Sequence, residues 1–355
     1  MSLSSKSPKE LMKLATTVKG KQKDKTLAEI AQLPNAPSDV LEFLSTKSQR
    51  VREALAKNPN ISEKLLAKLA SDPATRVRAA VAQNSAAPRK ILAQLAKDND
   101  PAVRASLARS EHAPSEILSE LARDPSNRGM VLSSVASNQM TPPQVLAEIV
   151  REEHSSVRAR KRGTEEDEMF FTDESFGPLS SAAGNPKTPK EALRLLADYR
   201  GNEIEWNLAK NPSTPAEVLE KILATGSISG KRDMALNPSL PEGVALKLAK
   251  LGDEIVSANL LSKDSRPAVL SQALGSLKSL RESEKAVLAA AKNPSVTGEW
   301  LEKIFEEFSS EPANELVLYR LAKNPACPVK VLRALSSSPS SRVSAAARRT
   351  LAAMP

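Results

Sequence analysis

The chain has 355 residues, a net charge of +9 from 51 Lys and Arg against 42 Asp and Glu, and an aromatic content of only 3%. One cysteine, Cys327, and two histidines, His112 and His154, exclude an intrachain disulfide and are too few for an iron–sulfur cluster or a multi-histidine zinc site. No run of about 18 apolar residues is present. The lysine-rich start (Lys19, Lys21, Lys23, Lys25) lacks a secretory apolar segment, so we expect a cytoplasmic protein with no membrane span, metal or cofactor.

Taken in chain order, Ser7-Pro8-Lys9-Glu10 reads as a capping box with Pro at the first helical position, opening a half-unit over 7–20. Residues 1–25 form an N-terminal cap with its Lys-rich linker. A repeating phrase then begins at Thr26. It is clearest at Val51-Arg52-Glu53-Ala54-Leu55-Ala56-Lys57-Asn58-Pro59, and it returns at Val77-Arg78 and Val103-Arg104, each 26 residues on. A constant period of this length marks an array of one supersecondary unit rather than several globular domains.

Each unit predicts two short helices. Val51, Ala54 and Leu55 share one helical stripe, as do Leu65, Leu66 and Leu69 of the second helix. The intervening Asn-Pro recurs at 58, 185, 211, 237, 293 and 324. Asn there suits a left-handed helix cap, and Pro cannot continue the helix. Thr188-Pro189-Lys190-Glu191 and Thr214-Pro215-Ala216-Glu217 read as further capping boxes. Helices this short are marginal alone, so stacking of neighbours must bury both stripes. The expectation is an all-α solenoid of about eleven two-helix units: repeats over 26–157, an insertion loop at 158–177, repeats over 178–342, and a capping helix over 343–355.

The phrase Val-Arg-x-x-Leu-Ala-x-Asn-Pro-x-x-Pro-x-x-x-Leu-x-x-Leu-Ala resembles the leucine-rich repeat variant, a HEAT-like helical repeat, over roughly residues 26–350. The resemblance implies a right-handed superhelix and an interaction surface. One type of family member holds an iron–sulfur centre in an N-terminal cysteine cluster; those cysteines are absent here, so that cofactor does not follow.

Two features stand out as candidate sites. Arg52, Arg78 and Arg104, with Arg158, recur at unit spacing, and Asp72, Asp98, Asp100 and Asp124 lie in the preceding loops. They form either an Arg–Asp ladder between units or a phosphate-contacting stripe for nucleic acid. The second feature is the interruption at 158–177, where Val157 starts a unit in phase that resumes only at Pro178. It contains a basic block (Arg158, Arg160, Lys161, Arg162), an acidic block, and Met169, Phe170, Phe171 and Phe176. Insertions in repeat arrays often map to the binding face, which makes these residues the candidate contact with a protein partner.

No phosphate loop, nucleophile elbow or metalloprotease helix is present, so no catalytic residue is assigned. His112 and His154 fall in turns, and Cys327 reads as a small buried residue. Trp206 and Trp300 occupy positions where smaller residues are usual. A non-catalytic scaffold is therefore the leading reading, with nucleic-acid binding second. A HEAT-like DNA glycosylase built on Glu205 and Trp206 comes third.

Overall fold

Apolar stripes too short to stand alone, each ended by a polar turn, give helices that lean on their equivalents in the next unit. The computed structural model describes residues 3–20, 22–162, 173–199, 203–310 and 314–354, with the backbone alone at 160–162 and 173–175. The described residues form 24 α-helices and a single 3-10 turn, with no strand. The chain divides into two compact units, 1–195 and 196–355.

In the first unit α1 (Pro8–Thr17) precedes six pairs. These are α2 (Lys23–Ala31) with α3 (Ser38–Leu44), α4 (Gln49–Ala56) with α5 (Glu63–Leu69), and α6 (Thr75–Ala82) with α7 (Arg89–Leu95). Then come α8 (Pro101–Arg109) with α9 (Ser115–Arg123), α10 (Met130–Ser137) with α11 (Pro143–Arg162), and α12 (Asp173–Gly184) with α13 (Lys190–Leu195). The second unit has α14 (Glu203–Lys210) with α15 (Ala216–Thr225), α16 (Ile228–Met234) with α17 (Glu242–Ala249), and α18 (Glu254–Lys263) with α19 (Pro267–Gly275). It continues with α20 (Glu284–Lys292) and α21 (Gly298–Phe308), then α22 (Glu315–Lys323) and α23 (Val329–Ser336), and ends on α24 (Ser341–Ala352). First helices pack on first helices within each unit, α2 on α4 through to α12 and α14 on α16 through to α24. Second helices do likewise where α11 meets α13 and α15 meets α17.

The core is aliphatic, as the composition implies. Val51, Leu55, Leu66 and Leu69 are buried, and Val77, Val81, Leu92 and Leu95 repeat them one unit on. Each such side chain contributes roughly 1.5–3 kcal/mol on burial. With most helices at six to twelve residues, this stacking supplies what isolated helices of under about 12–15 residues lack.

The turn asparagines do something other than cap in the left-handed region. No residue except glycine has positive φ among those described, and Asn138, Asn293 and Asn324 are extended, with φ between −72 and −79°. Their side chains turn inward instead. Asn58 Nδ2 donates to the carbonyls of Ala31 and Leu33 at 2.7 and 3.0 Å, and Asn84 to those of Ala56 and Asn58 at 2.6 and 2.9 Å. Asn138, Asn185, Asn237, Asn293 and Asn324 repeat the pattern, each reaching two carbonyls of the preceding repeat. The Oδ1 atom meanwhile accepts the N–H two residues on, as from Asn60 to Asn58 at 2.9 Å. One amide thus satisfies helix-end carbonyls of its neighbour and closes its own turn.

The predicted capping boxes divide in the same way. At α1 the box is complete, with Glu10 N–H donating to Ser7 Oγ and Ser7 N–H to Glu10. Thr188 and Thr214 are not caps. Their hydroxyls donate backwards to the carbonyls of Ala182 and Leu208 at 2.6 and 2.7 Å, as Thr141 does to Val135 at 2.6 Å. Pro215 holds the N-cap position of α15, one place before the expected site, as Pro88 and Pro241 do for α7 and α17.

The interruption also differs from expectation. Val157 and Arg158 do not open a first helix; they extend α11, a second helix that runs 20 residues to Arg162. The next first helix, α12, begins at Asp173 with Pro178 inside it. Both flanks of the expected 158–177 loop are therefore helical. Val157 is buried, so a helix continuing past the unit's usual end gains a core contact that an exposed loop would lose.

Candidate interaction surface

The arginine stripe sits where the first turn of one first helix meets the loop leading to the next. Arg52 Nε and Nη2 donate to both carboxylate oxygens of Asp72 at 2.6 and 2.9 Å, and Nη1 donates to the Lys47 carbonyl at 2.7 Å. Arg78 repeats this with Asp98 at 2.7 and 2.9 Å and with the Asp72 carbonyl at 2.8 Å. The guanidinium side chains are only 20% and 17% exposed and their carboxylates 5% and 8%. Bidentate pairing of this kind is directional as well as charge-assisted.

Arg104 changes partner. Its Nε donates to Asn127 Oδ1 at 2.7 Å, and Asn127 passes a bond on to the Leu121 carbonyl at 3.0 Å. Asp124 and Asp100, expected as rungs, hold other groups instead: Asp124 accepts from Ser126 N–H, and Asp100 from Ala102 N–H and the Thr75 hydroxyl. Arg158 is off the stripe altogether, exposed on α11. In the second unit a rung reappears one residue late, Arg232 to Asp253 at 2.8 and 3.1 Å. That pair went unseen in the sequence because Arg232 follows rather than occupies the stripe position.

These bonds perturb the carboxyls. Burial pushes Asp72 and Asp98 upward, but the hydrogen bonds from Arg52 and Arg78, with a backbone N–H each, outweigh it and hold both below the usual carboxylate range. Asp253 is lowered chiefly by its bond from Arg232, against burial.

Of the interruption's residues, Phe176 is half-buried on α12. Met169, Phe170 and Phe171 lie outside the described residues, as do the side chains of Arg160, Lys161 and Arg162. Arg158 and Phe176 therefore sit on the two helices that flank the interruption.

Glu205 is 1% exposed. It accepts from Ser227 N–H and Oγ at 2.9 and 2.5 Å, at the start of α16. A Cβ on Gly230 would stand 2.4 Å from Glu205 Oε1, so only glycine lets the helix approach this carboxylate. Neighbouring Trp206 is half-buried, and its Nε1 is buried without an acceptor among the described residues. Glu205 thus bonds α14 to the start of α16. Cys327 is buried, and burial pushes its thiol up to about 12, so it stays protonated. His112 is exposed in a turn. The described residues contain no group of three His, Cys, Asp or Glu arranged to hold a metal, and no helix long and apolar enough to cross a membrane.

No protein-family model matches the chain, and no curated protein matches it. Among solved structures the chain is similar to a leucine-rich repeat variant at 18% identity and a TM-score of 0.30, over 86% of this chain and 88% of that one. It is similar to a chain of a homology model of the full-length AP-3 complex in an intermediate open conformation, at 13% identity and a TM-score of 0.29, over 97% and 90%. A designed armadillo repeat protein aligns at 16% identity and a TM-score of 0.11, over 98% and 100%. The helix pairs and the bonds between successive repeats described above make this chain an all-α helical-repeat solenoid.

Proposed function

We propose that this protein is a non-catalytic scaffold that holds a protein partner, and that its repeats are of the leucine-rich repeat variant type. The observation that supports this reading is where the recurrent polar side chains point. The asparagines, the bonded arginines and their aspartates face neighbouring repeats, so the repeated chemistry maintains stacking. What is left for recognition is the exposed surface between the rungs and the place where the period breaks. The Arg52, Arg78 and Arg104 stripe is engaged internally, which disfavours it as a phosphate track. The break at 158–177, with Arg158, Arg160, Lys161, Arg162, Met169, Phe170, Phe171 and Phe176, is the proposed partner contact.

The test is capture of a partner at physiological salt by the full chain and by a deletion of 163–172, with cross-linking to map contacts and reconstitution from the purified partner. Cross-links on α11 and α12 and loss of binding in the deletion, at unchanged helical content and melting temperature, are the expected results. Equal binding by the deletion, or recovery of nucleic acid alone, overturns the reading.

A further inference from the structure

The last residues of successive first helices form a cationic row in the second unit. Lys263 ends α18, Lys292 ends α20 and Lys323 ends α22, each immediately before the Asn or Asp of its turn, and all three are exposed. A groove of ≈ 480 Å³ lies along α18 and α20, lined by Lys263, Lys285, Lys292 and Arg320 around Ala289 and Pro294. Its one carboxylate, Asp264, is already held by Arg266 Nε and Nη2. No salt bridge involves Lys263, Lys285 or Lys292 among the described residues. Beyond it the row continues where Tyr319 lies under Lys323 and Arg342, at 5.6 and 4.1 Å from the ring centroid.

Helix dipoles favour a cation at each C-terminus and explain part of this row. They do not explain Lys285, the second residue of α20, which stands at the end where positive charge is disfavoured. Nor does an ordinary solvated face explain the missing anions. The corresponding groove of the first unit mixes Lys25, Arg50, Lys57 and Arg76 with Glu29 and Glu53, and Lys57 is paired to Glu53 at 2.8 Å. In the groove along α18 and α20, Lys263 and Lys292 have no such ion pair among the described residues, and the nearby carboxylate of Glu254 accepts the backbone N–H of Lys285 at 3.1 Å.

Spacing selects the ligand. Packed helices lie about 8–10 Å apart, so Lys263, Lys292 and Lys323 recur at about that interval. A polypeptide in the polyproline II conformation has three residues per turn and rises about 3.1 Å per residue, so every third side chain faces one side and advances by about one step. A nucleic-acid strand carries a charge for about every 3.4 Å of helix axis, far denser than the row. A duplex wide enough to cover the helices would also meet Glu254, Glu284 and Glu315 at their opposite ends.

We propose that this groove binds an acidic segment of a partner protein in the polyproline II conformation, with carboxylates at every third residue opposite Lys263, Lys292 and Lys323. The inference rests on the scaffold reading only in taking the ligand to be protein, and its test needs no captured partner. The full chain is titrated by fluorescence anisotropy with a peptide of about twelve residues bearing Glu at every third position. The comparison ligands are a peptide of the same composition with its Glu residues contiguous, a Gln version of the spaced peptide, and single-stranded RNA. The spaced peptide is expected to bind at least about fivefold tighter than the contiguous one, to weaken with salt, and to lose about tenfold or more in Lys285→Glu/Lys292→Glu. Lys292→Gln alone, a milder change, should lose several-fold at an unchanged circular dichroism spectrum, and Lys190→Glu on the first unit should lose nothing. Equal binding of spaced and contiguous peptides, or indifference to the Lys292 changes, overturns the proposal. RNA binding tighter than the spaced peptide and lost in the same variants reassigns the groove to nucleic acid.

Discussion

At Asp98, burial works to protonate the carboxyl while Arg78 and a backbone N–H work to ionise it, and the hydrogen bonds prevail. A carboxyl held low contributes stability that is complete above its ordinary value of about 3.9 and is lost as the pH falls through its folded-state value. The melting temperature of the wild-type chain should therefore exceed that of Asp98→Asn at pH 6, and the gap should shrink on acidification to pH 3. A constant gap would show that the charge is not what stabilises this rung. Arg78→Ala at neutral pH should cost about 2–4 kcal/mol in denaturant unfolding, between the ranges for exposed and buried pairs. Position 264 supplies a second residue-scale experiment. Asp cannot donate as Asn does; Arg266 bonds Asp264 and donates from Nη1 to a different carbonyl of the preceding repeat, that of Leu240, at 3.0 Å. Arg266→Ala should destabilise by about 1–3 kcal/mol through an unpaired carboxylate and a lost donor. Asp264→Asn in the same chain should recover most of that loss, and failure to recover would break the link between the two residues. The Arg–Asp rungs at 52 and 78 were legible in the sequence because both partners recur at one period. The asparagine bonds were not, because their acceptors are main-chain carbonyls, which leave no mark on residue identity.

Helix boundaries show what pattern reading sees and misses at the level of the element. Apolar stripes located the first and second helices where the period held, since burial of Val51, Leu55 and Leu66 follows directly from their spacing. Pro misled by one position, because an extended N-cap suits its fixed φ as well as a first helical turn does. Phase misled at Val157, where the motif continued although the chain was still finishing α11. The third residue after each turn Asn is another element-scale case, occupied by Ile61, Leu240 and Val296 in some units and by Thr141, Thr188 and Thr214 in others, all buried. The hydroxyls add a bond to the preceding helix end that the aliphatic residues forgo. Thr141→Val should thus cost only about 0.5–1.5 kcal/mol with helical content unchanged, read from urea unfolding. A larger loss would mean that the Val135 carbonyl cannot find another donor.

Within each of the molecule's two compact units, contacts pass from each repeat to its neighbours, so stability is approximately a sum of local and nearest-neighbour parts. Leu107, fully buried on α8, should cost about 2–5 kcal/mol when replaced by Ala. Hydrogen exchange should then accelerate in α6 to α10 while α18 to α22 keep their protection. Uniform acceleration over the full chain would instead indicate one cooperative block. Fold class and repeat number were readable at this scale because each is a property of the period. The candidate sites were not equally readable: the cation row depends on which anions are absent nearby, a fact that only the packed helices reveal.

The reach of each turn amide to main-chain carbonyls has a further consequence for how such a chain changes length. A joint that recognises only backbone is indifferent to the side chains on its far side, so this bond by itself does not dictate which repeat follows which. Duplication or excision of a whole Asn-to-Asn segment preserves these amide joints, provided that side-chain rungs such as Arg52–Asp72 and Arg78–Asp98 keep a partner. Ser110 and Asp264 occupy the Asn position with different chemistry. At Asp264 the donor to the preceding repeat is Arg266, so a recombination there must carry both residues together. The interchangeable parts of this protein are thus delimited by a single amide, and its exceptions mark where the array is no longer free to be cut.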